Sequence, residues 1–295
     1  MHCIHAIKIL VLLFLPTVSI GQIMYEGTVV NRSTKSSVSF ATIGLFKANT
    51  VTTADEHGKF TLIANKVEND TLIISCVGYE TTKIPARAFT PGMEVQLEEK
   101  KVTLKEIVVS GNYDKSIWLN DYSNCGLDWY IGNRVTTMLA QHFRSPLPNS
   151  KLVEINLCKF TGNSRFRLRV FNMDTVTHKP STELVDSLIE ISAKSKHVNI
   201  NFEKYKIIIP DRDFFVAIEW LYIPYNESRV KSNIGGQKIL HSEFAPYLSI
   251  RYHKKNVTDN ENFLEAWELD YREKWNPMPG NMYLVMSAKV KYNKL

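Results

Sequence analysis

The sequence predicts an all-β protein made of two consecutive β-sandwiches behind an export signal. Three observations carry this reading. Short apolar or alternating runs recur between turn residues from Tyr25 to Tyr292, the pattern of strands in a sandwich. Between Gln22 and Thr103 no segment keeps a helical period. The first 21 residues differ from everything that follows. A length of 295 residues accommodates two ordinary domains, and 44% hydrophobic residues suffice for sizeable cores. Thirteen Gly and eleven Pro are near average usage, which excludes collagen-like and low-complexity chains.

Residues 1–21 read as a signal peptide. Lys8 precedes the apolar run Ile9–Leu15, Pro16 breaks it, and Ser19-Ile20-Gly21 offers small residues for cleavage before Gln22. The run is far short of the ~20 residues that span a bilayer. Cys3 lies before the run, so lipidation is not expected. No later apolar stretch is long enough for a transmembrane helix, so none is expected after cleavage. The formal charge is 36 minus 30, or +6, and falls to +5 without Lys8. The excess is spread along the chain and does not point to nucleic acid. Cleavage leaves Cys76, Cys125 and Cys158, an odd count that leaves at least one thiol unpaired in the monomer. Cys76 and Cys158 sit in apolar runs and are expected to be buried. A Cys125–Cys158 disulfide is an option the sequence leaves open.

The first domain is expected over 22–103. Its strands read as Tyr25–Val30, Val38–Phe46, Val51–Thr53, Lys59–Ala64, Asp70–Val77, Glu80–Ile84 and Glu94–Leu97. About seven strands in some eighty residues make a small sandwich. Asp55-Glu56-His57-Gly58 is a turn signal. Gly58 is expected to take a positive φ, which only glycine adopts cheaply, and to deliver Phe60 to the core. Gly78 lets Tyr79 pack back. The Asp55 turn supplies too few oxygens at fixed spacing for calcium, and no metal or cofactor is expected.

Four ordered motifs make this stretch resemble a known module: Glu26-Gly27-Thr28-Val29-Val30, Val38 to Ile43, Thr53 to Phe60, and Asp70 to Glu80. Together they resemble the carboxypeptidase-regulatory-like domain, a transthyretin-like β-sandwich widespread in Bacteroidetes surface and periplasmic proteins. Here Thr53-Ala54-Asp55 replaces the commoner Thr-Asp pair. The resemblance implies a structural module without peptidase activity of its own. Residues 104–129 are expected as a linker, or as a loop packed on the second domain. Within them Leu104-Lys105-Glu106-Ile107-Val108-Val109 resembles the segment that follows this domain in TonB-dependent outer-membrane receptors. The 184 residues after Gly111 cannot hold a plug and a large barrel, and ten-residue lipid-facing strands are missing.

The second domain is expected over 130–295 as a jelly-roll-like β-sandwich. Arg134–Phe143 has a mixed pattern that also admits a short helix. Lys151–Phe160 alternates partly out of phase, as a bulge would make it. Arg165 to Phe171 alternates cleanly, with Phe166, Leu168 and Val170 on one side and Arg165, Arg167 and Arg169 on the other. Leu184–Ser192, His197–Phe202, Phe214–Ile223, Tyr247–His253 and Met282–Tyr292 follow. The order of these runs resembles, more loosely, a sandwich found after the same module in Bacteroidetes proteins, with no activity to carry over.

No nucleophile elbow, phosphate loop, dinucleotide fingerprint or zinc-protease helix occurs, so no catalytic residue is assigned and the chain is expected not to be an enzyme. Glu219 stands out in Phe215-Val216-Ala217-Ile218-Glu219-Trp220. A carboxylate on an apolar face either finds a partner, an Arg of the 165–169 stripe being one, or has a raised pKa. The Arg165/Arg167/Arg169 stripe reads either as a solvated face paired with acids on the next strand or as a patch for acidic glycans or lipid head groups. Trp267, Tyr271, Trp275, Tyr222 and Tyr225 lie in or beside long loops. They either plug the ends of the sandwich or stack on a sugar. These nine residues are the binding candidates. The expected function is an exported, non-enzymatic binding or structural protein of a Gram-negative envelope, in the periplasm or on the outer membrane and cell surface. A glycan or an envelope protein is the expected partner. The alternatives are a carbohydrate-binding module and an accessory to a TonB-dependent uptake system.

Overall fold

The computed structural model describes residues 21–100, 113–120, 125, 129–133, 136–185, 187–234, 237–252, 265–278 and 282–293. The expected signal peptide, up to residue 20, and the Leu104–Val109 joint lie outside the described residues. Among the described residues the chain is strand, with three single-turn 3-10 segments. No helix is long and apolar enough to cross a membrane.

The first sandwich uses seven strands: β1 (Gln22–Asn31), β2 (Thr42–Leu45), β3 (Thr50–Thr53), β4 (Lys59–Asn65), β5 (Thr71–Ser75), β6 (Thr82–Pro85) and β7 (Met93–Leu97). One sheet has the order β4-β1-β7 and the other β3-β2-β5-β6. Strand β4 buries every second residue, Phe60, Leu62 and Ala64, because successive side chains of a strand point to opposite faces. Val29, Ile43, Leu72, Ile74 and Leu97 complete the core. The turn into β4 needs glycine. Gly58 has φ +74°, and a Cβ there would stand 2.4 Å from the Val29 carbonyl oxygen. Asp55 spends its carboxylate on the same turn, where Oδ1 accepts from His57 N at 2.8 Å and Lys59 N at 2.9 Å. Gly27 leaves room for the Met93 carbonyl, 2.6 Å from where a Cβ would sit. Gly78 has φ +79°, and Tyr79 after it is half-buried, packed on this core. Val38 to Ala41 is not strand as expected. It is an irregular segment in which Phe40 takes φ +57°.

The second unit is built from β8 (Lys115–Leu119), β9 (Trp129–Asn133), β10 (Thr136–Arg144), β11 (Ser150–Cys158), β12 (Ser164–Met173), β13 (Pro180–Glu183), β14 (Ile189–Ala193), β15 (His197–Asn201), β16 (Ile208–Ile209), β17 (Asp213–Trp220), β18 (Glu227–Ile234), β19 (Gln237–Tyr252), β20 (Ala266–Asp270), β21 (Trp275–Pro277), β22 (Met282–Leu284) and β23 (Met286–Tyr292). A seven-stranded sheet runs β13-β12-β17-β10-β20-β21 with β14 beside β12, and a five-stranded sheet runs β15-β11-β23-β8 with β16 beside β11. A four-stranded sheet of β18, β19, β22 and β9 adds Leu248, Ile250 and Leu284 to the core of this unit. The chain alternates between the two main sheets from β10 to β12 and from β14 to β17, as in a jelly-roll-like sandwich. Phe166, Leu168 and Val170 meet Phe214, Val216, Ile218, Leu157 and Ile155 in the core.

Several sequence expectations are sharpened here. The out-of-phase Lys151–Phe160 run holds β11 up to Cys158, and the register of β11 against β23 shifts between Leu152 and Glu154. The described part of the Arg134–Phe143 run, from Thr136, is strand β10 and not a helix, because both of its edges are taken by β17 and β20. Leu184–Ser192 is not one strand: β13 ends at Glu183 and β14 starts at Ile189. The 104–129 stretch is more than a linker, since β8 within it pairs with β23 at the edge of the second sandwich.

Candidate functional site

The outer face of the seven-stranded sheet holds most of the candidates. Alternation along β17 sends Phe214, Val216, Ile218 and Trp220 into the core and leaves Phe215, Ala217 and Glu219 on the other face. The same rule on β12 leaves Arg165, Arg167 and Arg169 there. Register sets Arg167 opposite Glu219 and Arg169 opposite Ala217.

This face is not solvated, because the first sandwich lies against it. Arg167 is 1% exposed and donates to Ser39 O at 3.0 Å and Phe40 O at 3.2 Å. Arg165 reaches Glu56 at 2.6 Å and also bonds Glu190 on β14. Both guanidinium groups stand over the Phe40 ring, at 4.7 and 5.3 Å, a cation–π arrangement. Leu221 and Ile223 pack on the same ring. Farther along, Tyr271 donates its hydroxyl to Phe46 O at 2.7 Å, and Tyr222 N donates to Thr53 Oγ1 at 2.8 Å. The stripe is therefore a seam between domains. Arg167 is closed off from any external ligand.

Between the seam contacts a cavity of about 200 Å³ remains, and both sandwiches line it. Cys76, Tyr79 and Thr81 come from the first, and Arg169, Glu219 and Trp275 from the second. A second cavity of about 670 Å³ shares Cys76, Tyr79, Lys100, Arg169 and Phe171 with it and continues to Glu183 and Leu188. Thr81 Oγ1 bonds the Glu273 carboxylate across the domains beside the first cavity. Together the two form one groove of the size usual for small-molecule sites.

Its electrostatics centre on Arg169. Glu183 takes the guanidinium in a two-point bond, and Glu219 Oε2 lies 3.8 Å from Nη1. Burial disfavours the Arg169 charge, but Glu183 and Glu219 more than offset this and hold its pKa above the usual value. Glu219 is 4% exposed, and its Oε2 accepts no hydrogen bond. A buried acceptor in that state is costly. Burial pushes the Cys76 thiol up, against the lowering pull of Arg167. A thiol kept protonated is a poor nucleophile.

Of the nine binding candidates, Arg169, Glu219, Tyr271 and Trp275 line the cavity. Arg165 and Arg167 belong to the seam. Trp267 lies in β20 and is 7% exposed, packed with Phe215 and Ala217. Tyr222 is buried and donates its hydroxyl to Thr136 O at 2.5 Å. Tyr225, 54% exposed in a 3-10 turn, stands apart from the groove. Sequence reasoning missed Cys76, Thr81 and Lys100 as site residues and gave Tyr79 a structural role only. Nothing in the sequence says that the two sandwiches meet there.

Cys125 and Cys158 form a disulfide, with Cα atoms 5.5 Å apart, an ordinary span. Cys76 is the free thiol among the described residues. His197 Nδ1 lies 3.4 Å from Cys125 Sγ. These three residues place ligand-type atoms within 4.8 Å of one another, but both sulfurs are engaged in the bridge.

Residues 25–109 match the family model of the CarboxypepD_reg-like domain. Among curated proteins, none matches the chain by sequence. Solved structures give distant similarity. The clostridial cysteine protease Cwp84 after propeptide cleavage aligns at 12% identity and TM-score 0.41, over 78% of this chain and 53% of that one. A structure of the cysteine protease and lectin-like domains of Cwp84, a surface-layer-associated protein of Clostridium difficile, aligns at 13% identity and TM-score 0.37, over 78% and 48%. A candidate carbohydrate-binding protein from Bacteroides uniformis aligns at 10% identity and TM-score 0.23, over 76% and 96%. The chain thus spans about half the length of the two Cwp84 structures. The ordered motifs, the seven-stranded first sandwich and the family match agree: this chain carries a CarboxypepD_reg-like domain.

Proposed function

We propose that this is an exported, non-enzymatic binding protein of the cell envelope, with its ligand site in the groove between the CarboxypepD_reg-like domain and the second sandwich. The observation that carries the reading is Glu219. Its Oε2 is buried at the groove, ion-paired to Arg169 and without a hydrogen-bond donor. A ligand that donates there would satisfy it. The groove-lining set contains no histidine, and its one thiol is held protonated, which favours binding over nucleophilic chemistry. The Cys125–Cys158 bridge supports export, since such bonds persist in oxidising compartments. The leader-like pattern up to Gly21 points the same way.

The test compares the chain from Gln22 onward with its Glu219→Gln variant, in binding to envelope polysaccharide and peptide fractions and in hydrolysis of both. Retention that weakens in the folded variant is expected. Turnover of a peptide or glycan that disappears with Glu219→Gln overturns the non-enzymatic reading.

A further inference from the structure

We infer that the groove takes a neutral, polyhydroxylated ligand, a saccharide, and that both domains grip it at once. This rests on the groove being the ligand site, and it names the ligand class.

The argument starts from charge. A cation drawn to Glu219 would also meet the Arg169 guanidinium, 3.8 Å from the same carboxylate oxygen. An anion drawn to Arg169 would find that group already held by Glu183 and Glu219, with Asp270 and Glu273 also lining the cavity. A neutral hydroxyl avoids both conflicts. It donates to Glu219 Oε2, the buried acceptor left open, and such a bond to an ionised group is among the stronger kinds.

The shape argument points the same way. Trp275 is half-buried, held edge-on against Phe171 at 5.7 Å and 78°. That contact fixes the indole in a wall of the cavity. Tyr79 of the first domain also lines the cavity. A sugar unit presents C–H faces to aromatic rings and hydroxyls at its rim, which matches a mixed lining of rings and isolated polar groups. The adjoining 670 Å³ cavity, with Lys100, Ser181 and Glu183 on its walls, has room for further units of the same chain. Because Tyr79, Thr81 and Lys100 belong to the first domain and Glu219 and Trp275 to the second, neither sandwich holds the site alone.

The experiment measures binding of the chain from Gln22 to Leu295 by titration calorimetry and by oligosaccharide array. The probes are neutral oligomers of glucose, mannose and xylose, anionic oligogalacturonates, cationic chitosan oligomers, and mixed peptides. The variants are Glu219→Gln, Trp275→Ala and the exposed first-domain change Lys100→Met, each checked for folding by circular dichroism. At least one neutral oligomer is expected to bind with little salt dependence. It should weaken by about tenfold or more in Glu219→Gln and Trp275→Ala, and measurably in Lys100→Met. A charged oligomer or peptide bound in a Glu219-dependent manner, with no neutral oligomer bound, overturns the inference of a neutral saccharide and leaves the groove as the site. A neutral oligomer bound equally by all variants overturns both the inference and the groove. So does the absence of any Glu219-dependent ligand across all probes.

Discussion

Arg167 of the second sandwich donates to the backbone carbonyl of Phe40 in the first at 3.2 Å, and its guanidinium stands 5.3 Å from the centre of the Phe40 ring. One side chain thereby meets one residue of the other domain through both backbone and ring. Phe40 holds φ +57° at this contact, a conformation that costs a bulky residue about 1–3 kcal/mol and persists only where its surroundings over-determine it.

Arg167→Ala should therefore destabilise the protein by about 2–4 kcal/mol, because the Phe40 and Ser39 carbonyls lose a charged donor and Glu219 loses a neighbouring cation. Urea denaturation followed by tryptophan fluorescence checks the magnitude. Calorimetry should show the thermal transition broadening or splitting as the sandwiches uncouple. An unchanged single transition would mean that the seam holds without this residue.

Gly44→Ala should open the same seam at its other end. A Cβ at Gly44 would lie 2.8 Å from Cδ2 of Tyr271, whose hydroxyl is tied to Phe46 O and whose neighbour Arg272 covers the Phe46 ring at 4.9 Å. With the ring so held, overpacking should cost about 1–3 kcal/mol. In a double-mutant cycle the cost should largely vanish on a Tyr271→Ala background, read from denaturation midpoints.

Reduction of the Cys125–Cys158 bridge, or the double change to serine, should lower stability by about 2–4 kcal/mol, the range for a loop of this order. The two cysteines are 33 residues apart. The melting temperature with and without a thiol reductant checks this. Cys76→Ser should show the same sensitivity to reductant as the parent chain, since Cys76 is outside the bridge.

Lys159 gives a pH dependence. It is 1% exposed and donates to Thr161 O and Ala193 O, each at 3.1 Å, and to Gly162 O. Burial lowers its pKa from 10.5 to about 8. Between those values the unfolded chain binds more protons than the folded one, so stability gains a contribution that grows as pH rises from 8 towards 10.5. Denaturation at pH 7, 8, 9 and 10 should show this rise, and Lys159→Met should flatten it. A parent chain with the same slope as the variant would contradict the assignment.

Much of the fold could be read from residue order. The Phe60-Leu62-Ala64 and Phe166-Leu168-Val170 alternations name buried faces because a strand's side chains repeat every two residues. Gly58 announces its turn because glycine takes the required positive φ most cheaply. The slipped alternation of Lys151–Phe160 marks a real register shift. Strands β8, β18, β20 and β21 were not legible, because their burial is set by neighbours distant in the chain. Trp267 and Trp275 looked like loop aromatics for that reason.

The sequence by itself determined the all-β class, the order of two sandwiches, the identity of the first domain and the side of β12 on which its three arginines stand. Tertiary structure alone decided what that side faces. An alternating strand states that Arg165, Arg167 and Arg169 leave the core of their own sandwich, and it carries no information about what covers them. That is fixed by long-range docking of Phe40 and Phe46 onto the second sandwich, which closes Arg167 into a seam and leaves Glu219 beside a groove. Pairing of Cys125 with Cys158 was likewise open until two distant segments met at 5.5 Å. Local periodicity records which way a side chain points, and only the packing of whole domains sets whether it meets solvent, protein or a ligand.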